Sequence, residues 1–227
     1  MKTYDLSRQS LRDLNQMLHD LAETDCAEPV HVHEPRGAHA IACGLKVPVQ
    51  VEIHGHAGYY CAGMNERAAV TVHGNAGTGL AENMMSGTVR VKGNASQSAG
   101  ATAHGGLLVI EGSASARCGI SLKGADIVVR GSVGHMSAFM AQAGRLVICG
   151  DAGDALGDSL YEARIYVRGN VASTGADCVE KEMRPEHREE LAVLLQSAGF
   201  DEKPEGFRRY GSARALYNFH TDHASSY

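Results

Sequence analysis

The sequence of 227 residues has no tryptophan and only 5% aromatic residues. It contains 27 glycines. A thick core between sheets and helices usually carries more aromatic bulk, so this balance favours a thin core with many tight turns. No apolar run of about 18 residues and no signal-peptide core is present, so we expect a cytoplasmic chain without a membrane segment. The net charge is −5 with both signs interspersed, which is unlike a surface that attracts nucleic acid or an anionic membrane.

The cysteines form no C-x-x-C pair, which argues against a metal or disulfide framework. In a chain expected in the cytoplasm, we interpret them as reduced and mostly buried small residues. The six are Cys26, Cys43, Cys61, Cys118, Cys149 and Cys178.

A 19-residue repeat organises most of the chain. Seven segments share an apolar-x-apolar-x-Gly pattern, of which the first runs from Val51 to Gly55, and the period contains no insertion or deletion. Positions two, three, seven and thirteen residues after each closing glycine hold mainly Ala, Gly, Ser or Val. The closing glycines are Gly55, Gly74, Gly93, Gly112, Gly131, Gly150 and Gly169.

This repeat predicts an all-β fold, a right-handed parallel β-helix of seven to eight coils. Alternation in a strand points the apolar pair to one side, and stacking equivalent strands in parallel buries that side. Small-residue columns then mark positions where coils approach closely. Seven coils spaced by about 4.8 Å give a rod of about 35 Å. A left-handed hexapeptide helix would need an aliphatic residue every six residues, which is absent. An earlier coil is expected, because Val30 to His33 resembles a strand and Gly37 precedes Gly55 by 18 residues.

The ends of the rod are expected to carry helices, because bare strand edges invite aggregation. Residues 1–29 are assigned to an N-terminal helical cap with a helix from Ser7 to Ala22, and residues 30–178 to the β-helix. Residues 179–227 are assigned to a second helix, from near Pro185 to near Gly199, and a tail rich in aromatic residues and arginine. This tail either folds back as a cap or docks on another subunit. The candidate docking residues are Phe207, Arg208, Arg209, Tyr210, Arg214, Tyr217 and Phe219.

Two features could carry chemistry. The stretch GDAGDALG, with Gly150, Gly153 and Gly157, resembles a phosphate loop, but its columns recur in every coil and no helix follows it, so we interpret it as structural. His54 and His73 should stack on adjacent coils at about 5 Å. An exposed ladder is the favoured interpretation of that pair and a metal site the alternative. By the 19-residue period, His31 and His33 share no column with them. We therefore predict no catalytic, cofactor-binding or metal-binding residue on this chain.

The 19-residue period and the G-x-x-G-x-x-x-G signature resemble the GXGXG domain, the C-terminal β-helix of glutamate synthase large subunits. The resemblance covers roughly residues 40 to 178. The ends, TYDLSRQSLRDLNQMLH and FRRYGSARALYNFHTDHASSY, are similar to those of the free-standing β-helix subunit of N-methylglutamate synthase. The C subunit of formylmethanofuran dehydrogenase is another free-standing version.

The resemblance implies a structural subunit in a complex that makes N-methylglutamate from methylamine and glutamate. Its partners would be an amidotransferase-like subunit and an FMN-binding, glutamate-synthase-like subunit. FMN would be bound by the latter, where an iron–sulfur cluster is a further candidate. The β-helix would hold the two partners apart and in register. A self-contained ligand-binding β-helix that uses the His54–His73 face stays open as an alternative.

Overall fold

The repeated segments form a continuous stack of parallel strands in the computed structural model, which describes residues 2–214. Two α-helices, α1 (Leu11–His19) and α2 (Pro185–Ala198), and two short 3-10 turns (Glu23–Asp25 and Pro204–Gly206) accompany them. The strands are β1 (Lys2–Asp5), β2 (Val30–His33), β3 (Gln50–His54), β4 (Ala69–Val72), β5 (Thr88–Val91), β6 (Leu107–Ile110), β7 (Lys123–Val129), β8 (Ala143–Ile148), β9 (Arg164–Val167), β10 (Cys178–Lys181) and β11 (Arg208–Ser212).

The register of the stack follows the sequence period. From β3 to β9, equivalent residues pair 19 positions apart, as Val51 does with Val70. A second line of parallel bridges joins the small residues two positions after each closing glycine, from Ala57 to Val171. The predicted parallel β-helix is therefore confirmed.

The earlier coil is present but longer than predicted. Val30 pairs with Val51, 21 residues later, whereas the glycine spacing indicated 18. Part of the extra length lies directly after β2, where Glu34 and Arg36 adopt left-handed backbone angles (φ 51° and 47°). This longer coil places His33 opposite His54, a pairing that the 19-residue period does not reveal.

The interior of the rod is filled by the apolar pairs of the strands. Val51 and Ile53 of β3 are fully buried, and so are their equivalents in later coils, for example Ile165 and Val167 of β9. Small residues such as Ala81 occupy the other interior columns, so the core is thin, as the lack of aromatic residues predicts. Side chains thus fill the axis of the rod.

The N-terminal end is closed by a strand and a helix. Residues 2–5 form β1, which pairs in parallel with β2 and extends the stack; the sequence did not indicate this strand. Helix α1 begins at Leu11, so the predicted start at Ser7 was wrong. The N-cap is Ser10, whose hydroxyl accepts a hydrogen bond from the Asp13 N–H at 3.1 Å. Leu14 of α1 is fully buried against the first coil.

Helix α2 lies on the outer face of the later coils. It begins at Pro185 and ends before Gly199 (φ 69°), as predicted. Its apolar side chains form one buried cluster with the residues at the middle of the strands, which face outward. In β3, β4 and β5 these middle residues are polar (Glu52, Thr71 and Arg90). In β6 to β9 they are Val109, Val128, Val147 and Tyr166, all fully buried.

The chain after α2 returns to the rod and closes its last coil. Strand β11 pairs antiparallel with both β9 and β10, so it covers the edge of the last parallel strand. Phe207 and Tyr210 are only 5% and 4% exposed, because they pack on the rod itself. These two side chains therefore pack within the chain itself, which agrees with the fold-back alternative for this part of the tail.

Candidate functional site on the outer face

The glycines of GDAGDALG have no free N–H group to offer a phosphate. The N–H groups of Gly150, Gly153 and Gly157 donate to carbonyl oxygens of the preceding coil, at 2.9, 3.0 and 2.9 Å. Such a loop binds an anion only through backbone N–H groups that point at it. Here those donors hold two coils together.

The closing glycines are stacked so closely that a side chain does not fit. From Gly93 to Gly169, each donates its N–H to the carbonyl of the closing glycine one coil earlier, at 2.8 to 3.0 Å. A Cβ atom on Gly112 would lie 2.6 Å from the carbonyl oxygen of Gly93. The column next to them forms a second ladder, in which each side chain accepts a hydrogen bond from the following coil's backbone N–H, as Asn75 does from Asn94 at 2.8 Å. The accepting side chains are His56, Asn75, Asn94, Ser113, Ser132 and Asp151.

A cluster of four histidines lies on the outer face of the first coils. His33, His54 and His73 stack in one column, with ring centroids 4.6 and 4.9 Å apart. His31 lies beside them, with its Nδ1 atom 2.9 Å from Nε2 of His54. The predicted 5 Å spacing of His54 and His73 is confirmed, whereas the expectation that His31 and His33 stand apart was wrong. We call these four residues the histidine cluster.

The packing of the histidine cluster disfavours a positive charge on His54. Burial, together with the neighbouring His33, His73 and His31, lowers the pKa of His54. The carboxylate of Glu52 lies 2.6 Å from Nε2 of His73. The rings are nearly parallel, within 10°, so their nitrogen lone pairs do not converge on one point. Within residues 2–214, no group of three or more histidine, cysteine or acidic side chains has the geometry of a metal site.

Polar contacts farther along the outer face attach α2 to the rod. Arg90 donates to Glu111 at 2.8 Å and to the carbonyl of Ala198 at the C-terminal end of α2, where a cation is favourable. Near the start of α2, Glu190 accepts from Tyr166 at 2.6 Å and forms an ion pair with Arg164 at 2.6 Å. Burial raises the pKa of Glu190, but these partners more than offset it, so the net pKa is lowered. These charges have structural partners and indicate no catalytic role.

The cysteines are free thiols, as predicted. Cys61 and Cys118 are fully buried, and burial raises the pKa of both. Burial also raises the pKa of Cys43 and Cys178 to about 11. A nucleophilic cysteine needs a lowered pKa, so none of these four is suited to that role.

The remaining candidate docking residues are partly engaged by the chain itself. Arg208 donates to the carbonyl of Gly169 at 2.7 Å, and Arg209 to that of Glu182 at 3.0 Å. Arg214 forms an ion pair with Asp177 at 2.6 Å. Tyr217 and Phe219 lie outside the described residues.

The fold places the chain among parallel β-helix proteins. A solved structure with a similar fold is the formyltransferase/hydrolase complex (FhcABCD) from Methylorubrum extorquens in complex with methylofuran. The TM-score is 0.67, with 20% identity over 88% of this chain and 85% of that chain. The chain belongs to the GlxC family, since it is 60% identical to Protein GlxC of Rhizobium meliloti (strain 1021) over 228 residues, all of both chains. No family model matches it. No helix within residues 2–214 is long and apolar enough to cross a membrane.

Proposed function

We propose that this chain is a non-catalytic structural subunit of a multi-subunit complex of the glutamate synthase type. The observation that carries the proposal is the packed interior of the rod, because buried side chains fill its axis. The GDAGDALG glycines also donate their N–H groups to the neighbouring coil. Such a body provides rigid walls at fixed spacing. The similar solved fold belongs to a protein complex, which is consistent with this role.

The complex that we propose is N-methylglutamate synthase, which makes N-methylglutamate from methylamine and glutamate. The rod would hold an amidotransferase-like subunit and an FMN-binding subunit in register. FMN, with or without an iron–sulfur cluster, would be bound by that second partner. The support is the GXGXG-like repeat together with the similarity of the two chain ends to the free-standing subunit of that enzyme.

Reconstitution with the two proposed partners tests this function. The three chains are co-expressed and purified, and N-methylglutamate formed from methylamine and glutamate is measured by mass spectrometry. We expect the complex to make the product, and the isolated chain to carry no flavin absorbance and to form no product. Flavin or turnover in the isolated chain would contradict a structural role. Full activity of the other two subunits without this chain would contradict the need for a spacer.

A second candidate is a self-contained ligand-binding protein that uses the histidine cluster, favoured by the four rings gathered on the outer face of the first coils. A double variant, His54→Ala with His73→Ala, separates the two candidates. The complex should keep its activity if the cluster is structural. A third candidate, a subunit of a formylmethanofuran dehydrogenase-like complex, is favoured by the similar fold in the formyltransferase/hydrolase complex. It predicts co-purification with partners of that type instead.

A further inference from the structure

A small cavity at the C-terminal end of the rod has four cationic side chains among its nine lining residues. Its volume is about 210 Å³, and it lies where the segment before β9 meets β10, β11 and the chain that follows β11. This volume is below the roughly 300 Å³ at which pockets for drug-sized ligands begin, so it suits a small ion or a small acid. Its charged lining residues are Arg164, Lys181, Arg209, Arg214 and Glu162.

Within residues 2–214, ion pairs engage only two of the cations that line this cavity. Four cations and one carboxylate line it. Arg164 is paired with Glu190 at 2.6 Å, and Arg214 with Asp177 at 2.6 Å. Among the ion pairs within residues 2–214, none includes Lys181 or Arg209.

Lys181 and Arg209 are directly opposite each other on antiparallel strands. The register of β10 and β11 pairs the two residues. Like charges that face each other across such a pair destabilise a sheet, unless something of opposite charge lies between them. Burial is the main cause of the lowered pKa of Arg209; Arg164 and Arg184 lower it further, while Tyr166 and Glu182 oppose them.

We propose that this cavity binds a small oxyanion, an inorganic phosphate or the carboxylate of a free small acid, between Lys181 and Arg209. A guanidinium group binds two oxygens of a carboxylate or of a phosphate through two parallel N–H bonds, and an ammonium adds a point charge. The Nε of Arg209 is already bonded to the carbonyl of Glu182, so its terminal nitrogens contact the ligand. The oxyanion relieves the repulsion between the two facing cations. This proposal does not depend on which complex the chain joins.

Calorimetric titration of the full chain tests the site. Inorganic phosphate and L-glutamate are injected separately, at constant ionic strength, in a buffer free of phosphate and carboxylate. We expect at least one of the two probes to bind saturably, with one molecule bound per chain. The probe that binds more strongly identifies the class of oxyanion. Lys181→Gln should weaken that binding about tenfold, which corresponds to one lost hydrogen bond between charged groups. Lys181→Arg, which keeps the charge, should retain it.

Lys46→Gln is the matched control, because it removes the same charge at the other end of the rod, where Lys46 lies 3.9 Å from Glu66. Its binding should equal that of the unmodified chain. Thermal unfolding of each variant confirms that it is folded before titration. The proposal is overturned if neither probe binds saturably, or if Lys181→Gln and Lys46→Gln have the same effect.

Discussion

At the scale of single residues, equivalent positions of successive coils stack on one another. The size of the side chain allowed at a position is therefore set by the equivalent residue one coil away. The closing glycines illustrate this. Among them, only Gly55 has a positive φ, yet the column excludes larger residues because the carbonyl of the previous glycine occupies the space. The sequence pattern indicated that coils approach closely at small-residue columns, and the structure shows which backbone atoms leave no room for a side chain.

Replacing Gly112 with alanine should therefore destabilise the rod. The new Cβ would lie 2.6 Å from the carbonyl oxygen of Gly93, and relief requires movement of backbone atoms. We expect a loss of about 1–3 kcal/mol in the free energy of unfolding, measured by urea denaturation. Gly206→Ala is the control, because a Cβ there meets only Arg168, at 3.5 Å, and should change the stability by less than about 0.5 kcal/mol. Equal effects of the two substitutions would contradict this explanation.

The histidine cluster should make stability depend on pH. The pKa of His54 is lowered in the folded chain, so between that value and the ordinary value of about 6.5 the unfolded chain binds more protons. Stability contributed by neutral His54 is thus lost as the pH falls through this window. His54→Gln should reduce the drop in urea midpoint between about pH 7.5 and 5.5. His104→Gln, an exposed histidine outside the cluster, should not. An unchanged drop in His54→Gln would exclude His54 as its source.

At the scale of elements, local sequence signals predicted the repeated strands and helix α2. The sequence did not predict the strands that are defined by pairing with a distant segment. The strands β3 to β9 and helix α2 were predicted, because a 19-residue period and a Pro-to-Gly segment are local signals. Strands β1 and β11 were missed, since each is defined by a partner distant in the sequence. The full histidine cluster was missed because the first coil contains two more residues than the others. One missed signal was readable: the outward strand positions change from polar to apolar at Val109, which indicates a covering helix.

The packing of α2 on this apolar strip can be tested with two substitutions on the same helix. Leu195 is 1% exposed and belongs to the cluster under α2, whereas Val193 is 61% exposed. Leu195→Ala should reduce the free energy of unfolding by about 2–5 kcal/mol, because it removes buried methyl groups and leaves a cavity. Val193→Ala should change it by less than about 0.5 kcal/mol. Urea denaturation of both variants distinguishes them, and a small effect of Leu195→Ala would mean that α2 contributes little to the fold.

At the scale of the whole molecule, the rod is a stack in which each coil contacts mainly its two neighbours. Stability in such a stack is close to a sum of coil and interface contributions. Its length is set by the number of coils, and the two ends are closed by different elements, α1 and the β10–β11 pair. A coil in the middle, away from both ends and from α2, can therefore be removed without losing a cap.

Deleting residues 69–87 should give a folded rod that is one coil shorter. Gln50, which now pairs with Ala69, would pair with Thr88 in the same register, since Ala69 itself pairs with Thr88. Deleting 70–87 instead removes 18 residues and shifts β5 by one position, which turns Val89 and its neighbouring apolar residue outward. We expect cooperative urea unfolding and a strand-type circular dichroism spectrum for the first variant, and aggregation or loss of structure for the second.

The same shorter rod tests whether spacing is the function. It should be shorter by about 4.8 Å, so partners that need the original separation would no longer be held in register. In the reconstituted complex, we therefore expect the 69–87 deletion to fold but to lose most of the N-methylglutamate production. The Gly206→Ala chain, which keeps the full length, should retain that production. If the shortened rod supports full production, the chain does not act as a spacer of fixed length, even though it folds as described.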